Sequence, residues 1–280
     1  MSGDGVSEYA SLRVTERGPV LEVLIDHPPM NLLDQTMRAD LDHLSRRLAD
    51  DQSIKVVVIR SADEDFFIAH ADVTGVIGRR VSANRRAGVL GQFHTMVERW
   101  RTLPQVTVAE LRGAARGGGL EFLLSLDLVY ADADRAVVGL PEVALGIIPA
   151  GGGTQRLARA TSRGQALEMV LTSNDYTARE AERWGIVTRA LPGDRLAAQV
   201  ASVVERISAW PTEALRLAKQ AVDAATPSPT DGLLHEYHYF NLSLRSPGTD
   251  ERLRRFLARG GQQRATERAL GANLPTLLTD

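Results

Sequence analysis

Three observations predict a mixed α/β fold for this 280-residue chain. Strand-like and helix-like runs alternate up to Arg156, glycine clusters fall at strand-to-helix junctions, and helix-compatible stretches follow one another beyond that point. Alternation of this kind favours layered α/β packing over an all-helical or all-β arrangement.

Residues 11–16 and 20–25 flank Arg17-Gly18-Pro19 and read as a hairpin. After Asp34, the residues Met37, Leu41, Leu44 and Leu48 recur at helical spacing and define one apolar stripe. Val56-Val57-Val58-Ile59 reads as a buried strand, and a polar turn at 61–65 delivers Phe66-Phe67-Ile68-Ala69-His70-Ala71-Asp72. A helix is expected over 84–101, then a strand over 106–111 running directly into Gly117-Gly118-Gly119, with an apolar helix starting near Glu121. Such a junction aims the free amides of a helix start at whatever lies in front of it. Further helices are expected over 166–171, 178–184, 196–207 and 213–223, the third carrying the stripe Leu196, Val200, Val203, Ile207. A short breaker at 225–232 precedes more helical sequence. No Pro/Ser linker separates independent domains, so the expected division is a core with the active site over 1–209 and a helical region suited to self-association over 210–280.

Composition narrows the chemistry. With 33 Lys+Arg against 35 Asp+Glu the formal net charge is −2, which argues against a general nucleic-acid binder. The absence of cysteine removes disulfides, thiolate nucleophiles and Cys-ligated zinc. Residues 1–8 are polar and acidic, unlike a signal peptide, and no apolar run is long enough to span a bilayer, so a cytoplasmic protein with no membrane partner is expected. No Gly-x-Gly-x-x-Gly, Gly-Lys-Ser/Thr or Gly-x-Ser-x-Gly motif appears. His235 and His238 lack further partners for a metal site and read as part of an interfacial helix.

Two acids stand beside glycine-rich backbone: Gly117-Gly118-Gly119-Leu120-Glu121, and Leu140-Pro141-Glu142 leading into Gly146 and Gly151-Gly152-Gly153. Glycine runs cost chain entropy and mark places where backbone approaches something closely. Paired carboxylates on such a frame suit acid–base work beside a developing oxyanion. Taken singly, Glu121 could merely favour a helix N-terminus, worth about 0.3–1 kcal/mol, and Glu142 could be a surface turn residue.

These motifs, with Asp127, Gly146-Ile147-Ile148-Pro149, Gly152-Gly153-Thr154-Gln155-Arg156-Leu157, and Ala178-Glu180-Ala181 before Gly185-Ile186-Val187, resemble the crotonase, or enoyl-CoA hydratase/isomerase, superfamily over roughly residues 21–221. The resemblance implies a spiral of ββα turns followed by helices that build a homotrimer or homohexamer. It implies an acyl-CoA thioester substrate and no separate cofactor or metal. The backbone N–H groups of Ala71 and Gly118 would form the oxyanion hole, with Glu121 and Glu142 catalytic, and Ala69, His70, Asp72, Gly117, Pro141 and Gly146 lining the substrate. Having both glutamates implies hydration of a 2-enoyl-CoA or the reverse dehydration; isomerases commonly keep mainly the second. A 3-enoyl-CoA isomerase, another acyl-CoA lyase or hydrolase, and a catalytically weak CoA-binding or assembly protein remain alternatives.

The chain departs from that pattern twice. His70 stands where glycine is usual, either pointing to solvent or the first helix, or reaching the thioester or CoA. Residues 131–138 are one residue longer than the norm, so a loop must absorb the difference for Glu142 to arrive. Arg112 and Arg116 are also unusual and read as solvated or CoA-contacting, while Glu110 is expected to face outward.

Overall fold

Period-two alternation in Val20-Leu21-Glu22-Val23-Leu24-Ile25 buries Leu21, Val23 and Ile25 and makes strand β2 (Val20–Ile25). It pairs antiparallel with β1 (Leu12–Arg17) around Gly18, whose φ of 59° favours a residue without a side chain. The computed structural model describes residues 8–79, 88–226 and 229–279. Asp34 caps α1 (Gln35–Asp50) by accepting the Met37 N–H, and Met37, Leu41, Leu44 and Leu48 are fully buried.

Thereafter the chain repeats one unit. β3 (Val56–Ser61), β4 (Phe66–Ile68) and α2 (Gln92–Arg101) form one turn; β5 (Val106–Leu111), β6 (Ala114–Arg116) and α3 (Gly118–Leu123) form the next; β7 (Leu128–Asp132), β8 (Val137–Gly139) and α4 (Gly153–Ala160) form a third. The first strand of each turn joins a six-stranded sheet ordered β1-β2-β3-β5-β7-β10, and the second joins a four-stranded sheet ordered β4-β6-β8-β9. Between and beyond these lie α5 (Arg163–Thr172), β9 (Asp175–Thr177), α6 (Ala178–Arg183) and β10 (Arg189–Leu191). From β2 onward the large sheet is parallel, and its central strands β3, β5 and β7 are buried on both faces over most of their length. Val56, Val58, Val108 and Tyr130 meet Leu196, Val200 and Val204 of α7 (Gly193–Ser208), while Val57, Ile59 and Ala109 face the main core.

The C-terminal helices are α8 (Thr212–Ala225), α9 (Thr230–Ser243), α10 (Thr249–Ala258), α11 (Arg264–Glu267) and α12 (Leu270–Leu278). Tyr237 and Phe240 of α9, Phe256 of α10 and Leu274 of α12 pack with Val73, Leu145 and Ile147 in a separate apolar cluster. α8 buries none of its side chains completely, and Leu217 and Val222 on it, with Tyr239 and Leu242 on α9, are exposed. No helix among the described residues is long and apolar enough to cross a membrane.

The structure corrects several local expectations. The helix expected over 84–101 begins at Gln92 after an extended Gly91 cap; residues 88–91 are not helical, and 84–87 lie outside the described residues. Gly88 at φ 102° accounts for the break. β5 does not run into the glycine triplet. The chain crosses at Gly113 to the short β6 in the other sheet, and α3 then starts within the triplet itself, at Gly118. Glu110 does not face outward: it is buried and accepts from Arg60 Nε at 2.8 Å and Arg112 Nε at 2.9 Å, while Arg112 also donates to Gly193 O. Arg116 is buried in a two-pronged pair with Asp175, which leaves it unavailable to a phosphate.

Close contact of α3 with β4 fixes where the triplet lies. A Cβ added at Gly119 would stand 2.5 Å from the Ile68 carbonyl oxygen. Gly119→Ala is therefore expected to lower unfolding stability by about 1–3 kcal/mol in urea titration; an unchanged midpoint would show that α3 can slide off β4 freely.

Candidate active site

Parallel pairing at Leu33 and Ala71 turns one amide into open space. The Leu33 N–H donates to His70 O at 2.9 Å and the Asp72 N–H donates to Leu33 O at 3.3 Å, so the N–H of Ala71 itself points away from Leu33. Facing it is the start of α3. Gly117 caps that helix with φ 48° and ψ −123°, a conformation reserved for glycine, and leaves the Gly118 N–H in the first turn. Among the described residues neither N–H has a hydrogen-bond partner. A Cβ placed on Gly118 would lie 3.6 Å from the Ala71 Cβ, so the two amides belong to one wall. That wall borders a cavity of about 130 Å³, also lined by Glu121, Glu142, Phe93 and Ile148.

Glu121 projects from the first turn of α3 into this cavity and is held by the second glycine run. Its Oε1 accepts the Gly151 N–H at 2.5 Å and the Gly153 N–H at 2.8 Å. A side chain at Gly153 would come within 2.8 Å of that same oxygen, so glycine is required for the grip. The loop is braced from behind by a third acid. Glu236 of α9 accepts the Gly152 N–H at 2.6 Å, the Thr154 N–H at 2.9 Å and the Thr154 hydroxyl, and pairs with His94 Nε2 at 3.0 Å. Arg156 donates to Gly151 O and to Glu98, tying the loop to α2.

Glu142 follows Leu140-Pro141 at the end of β8, and its carbonyl accepts the Leu145 and Ile147 N–H groups. Its Oε2 is buried without a hydrogen-bond partner among the described residues, and its Oε1 lies where a side chain on Gly117 would have to go, 2.6 Å from an added Cβ. Within 131–138 the chain turns with Asp132 Oδ1 accepting the Asp134 and Arg135 N–H groups.

Burial pushes Glu142 up to about 7, with the nearby His70 acting in the opposite direction. Glu121 is pushed well above the usual carboxylate range, first by burial and then by the negative charge of Glu236 and Glu142, although the two glycine amides favour its ionised form. Interacting carboxyl groups of this kind titrate as a unit, and both members have raised proton affinity.

Of the sequence-predicted residues, Ala71, Gly118, Glu121 and Glu142 share the cavity, and the others stand behind it. Gly117 supplies the turn, and Pro141 is buried before Glu142. Ala69 packs its methyl with Met30, Phe66 and Ala114. Asp72 caps the turn at Val73–Gly75 by accepting the Thr74 N–H, and Gly146 adopts φ 80° against Thr249. His70 neither reaches solvent nor packs on the first helix. It is buried against α11, with Nε2 3.1 Å from Glu267 Oε1, and its backbone is not among the left-handed non-glycine positions, which are Asn31, Ser173 and Gln262.

Sequence reading missed Glu236 and His94. The signal was present for the first: Leu233, Glu236, Tyr237 and Phe240 share one helical face, and a carboxylate on an otherwise apolar stripe requires buried partners.

Comparison with known proteins bears on the family and the fold. The family model for enoyl-CoA hydratase/isomerase matches residues 15–246. A candidate enoyl-CoA hydratase of Mycobacterium bovis is 31% identical over 260 residues, covering 91% of this chain and 98% of its own. The short-chain-enoyl-CoA hydratase of Clostridium acetobutylicum is 29% identical over 228 residues, covering 81% and 86%. The crystal structure of a candidate enoyl-CoA hydratase from Streptomyces avermitilis superposes with a TM-score of 0.87 at 36% identity, covering 97% of this chain and 99% of that one. With a repeating ββα spiral, a matching family model and matching structures, the chain belongs to the enoyl-CoA hydratase/isomerase family of the crotonase superfamily.

Proposed function

We propose that this protein is an enoyl-CoA hydratase, adding water across the 2,3 double bond of a 2-enoyl-CoA thioester or running the reverse dehydration. The reading is carried by one observation: two unpartnered amides and two carboxyl groups of raised proton affinity converge on one cavity. The Ala71 and Gly118 N–H groups would accept the negative charge that builds on the thioester oxygen as C3 is attacked. Glu121 and Glu142 would hold one water between them. The ionised member removes the water proton during attack at C3, and the protonated member delivers a proton to C2. A pair that keeps one proton is equipped for both tasks at once. The scheme uses only the protein's own groups and the CoA carried by the substrate. The exposed Leu217, Val222, Tyr239 and Leu242 support assembly of the C-terminal helices into a trimer or hexamer.

Crotonyl-CoA and longer homologues lose ultraviolet absorbance when their conjugated bond is hydrated, which gives a direct assay. Glu121→Gln and Glu142→Gln are each expected to lower kcat by about 10²–10⁴ while leaving CoA binding measurable. Tight CoA binding by the unaltered protein with no turnover at any chain length would refute the enzyme reading.

Glu236→Ala is expected to lower kcat by about tenfold to a hundredfold, because the loop that grips Glu121 loses three hydrogen bonds from Gly152 and Thr154. Full activity in a folded variant would mean that the loop holds without its brace.

The pH profile follows from the signs of the shifts. Below about 7 Glu142 is protonated along with Glu121, so no base remains; at higher pH the last proton leaves and no acid remains. A bell-shaped kcat/KM with its acid limb near 7 is expected. Activity that persists unchanged down to pH 5 would contradict the shared-proton scheme.

A further inference from the structure

A second buried ionisable pair lies behind Ala71, and the hydration scheme makes no use of it. His70 is 3% exposed and Glu267 is 0% exposed. The His70 Nδ1 is 2.7 Å from Ala71 O and its Nε2 is 3.1 Å from Glu267 Oε1. A carbonyl can only accept, so Nδ1 carries hydrogen. Glu267 Oε1 meanwhile accepts the Gln262 N–H at 2.8 Å, which suits a carboxylate; the second ring nitrogen then donates too, making the ring an imidazolium.

The charged groups around the ring are few. Glu267 faces it from α11, Arg116 from β6, Glu142 from the turn after β8, and Asp72 from its own segment; Phe256 of α10 presents a ring edge at 6.1 Å. Arg116 is matched by Asp175, and it also donates to Glu267 O, which anchors α11 in place. Gly117 lies against both His70 and Glu142. A Cβ added there would stand 3.7 Å from His70 Cβ and 2.6 Å from Glu142 Oε1. The same C-terminal stretch holds the neighbouring residues: Gln262 accepts the Val73 N–H and donates to Asp72.

We propose that His70, locked by Glu267, is a positioning residue: its ring pins the Ala71 segment from behind, and its positive charge favours the ionised form of Glu142. The C-terminal helix α11 thereby takes part in setting the charge state of the site. Burial alone would keep the imidazole neutral, but the Glu267 carboxylate and the Ala71 carbonyl together raise its proton affinity above the ordinary histidine value. Glu267 is correspondingly held below the usual carboxylate range, although its own burial opposes this. The geometry of the pair is independent of which reaction is catalysed; only its kinetic consequence rests on the hydratase reading.

Two magnetic-resonance measurements test this without relying on turnover. In protein labelled with ¹⁵N-histidine at pH 7, the ring assigned through His70→Gln should show both nitrogens protonated; a neutral ring would overturn the proposal. In protein labelled with ¹³C-glutamate, the Glu142 carboxyl, assigned through Glu142→Gln, should titrate near 7. In folded His70→Gln its midpoint should move upward by about half a pH unit or more, and the acid limb of kcat/KM for crotonyl-CoA should move with it. An unchanged Glu142 midpoint in folded His70→Gln would also overturn the proposal. If the midpoint moves while the unaltered protein hydrates no 2-enoyl-CoA, the hydratase reading fails and the role of His70 stands.

Discussion

A carboxyl group buried beside other carboxyl groups must either keep its proton or be held by dipoles aimed at it, and Glu121 does both. Its Oε1 takes two backbone N–H groups from Gly151 and Gly153, while the negative charge of Glu236 and Glu142 opposes its ionisation. The cost of ionising such a group away from bulk solvent raises its proton affinity. Most of the surrounding architecture serves that arrangement. Glu236 and His94 brace the loop, Arg156 ties it to α2, and glycine at 117 and 153 leaves room that any side chain would fill.

The ββα repeat explains how distant segments meet at one point. Each turn of the spiral leaves a strand in the small sheet, and β4, β6 and β8 end near one another because they are parallel neighbours. The residues that follow them are Ala71 after β4, Gly118 and Glu121 after β6, and Glu142 after β8. One fold rule therefore places two amides and two acids on the same cavity from sequence positions about seventy apart. The fourth contribution comes from outside the spiral, through α9 and α11, whose Glu236 and Glu267 each reach back to a loop of the site.

The large elements were legible in the sequence because their periodicity is long: the stripe Met37, Leu41, Leu44, Leu48 and the alternation in β2 leave no competing reading. The three-residue strands β4, β6, β8 and β9 are too short to carry a period, and Ala114-Ala115-Arg116 carries no strand signal at all. Glu121 and Glu142 could be singled out because glycine runs and a proline mark their backbones. Glu236 stood out only as a carboxylate on an apolar helical face, with no pointer to Gly152, and Glu267 and His94 carried no signal, since each is paired with a residue far away in sequence: Glu267 meets His70, His94 meets Glu236. His70 itself was legible as an anomaly, but the reason it is tolerated lies in α11, and its backbone avoids the left-handed region altogether.

The central claim is that Glu121 and Glu142 hold one proton between them in the resting site. Neutron diffraction from deuterium-exchanged crystals at a pH just above 7 would read it directly. One deuteron on the pair, with the Gly151 and Gly153 amides still directed at Glu121, is the predicted map. Two bare carboxylates would contradict the account, because the site would then hold no acid to protonate C2.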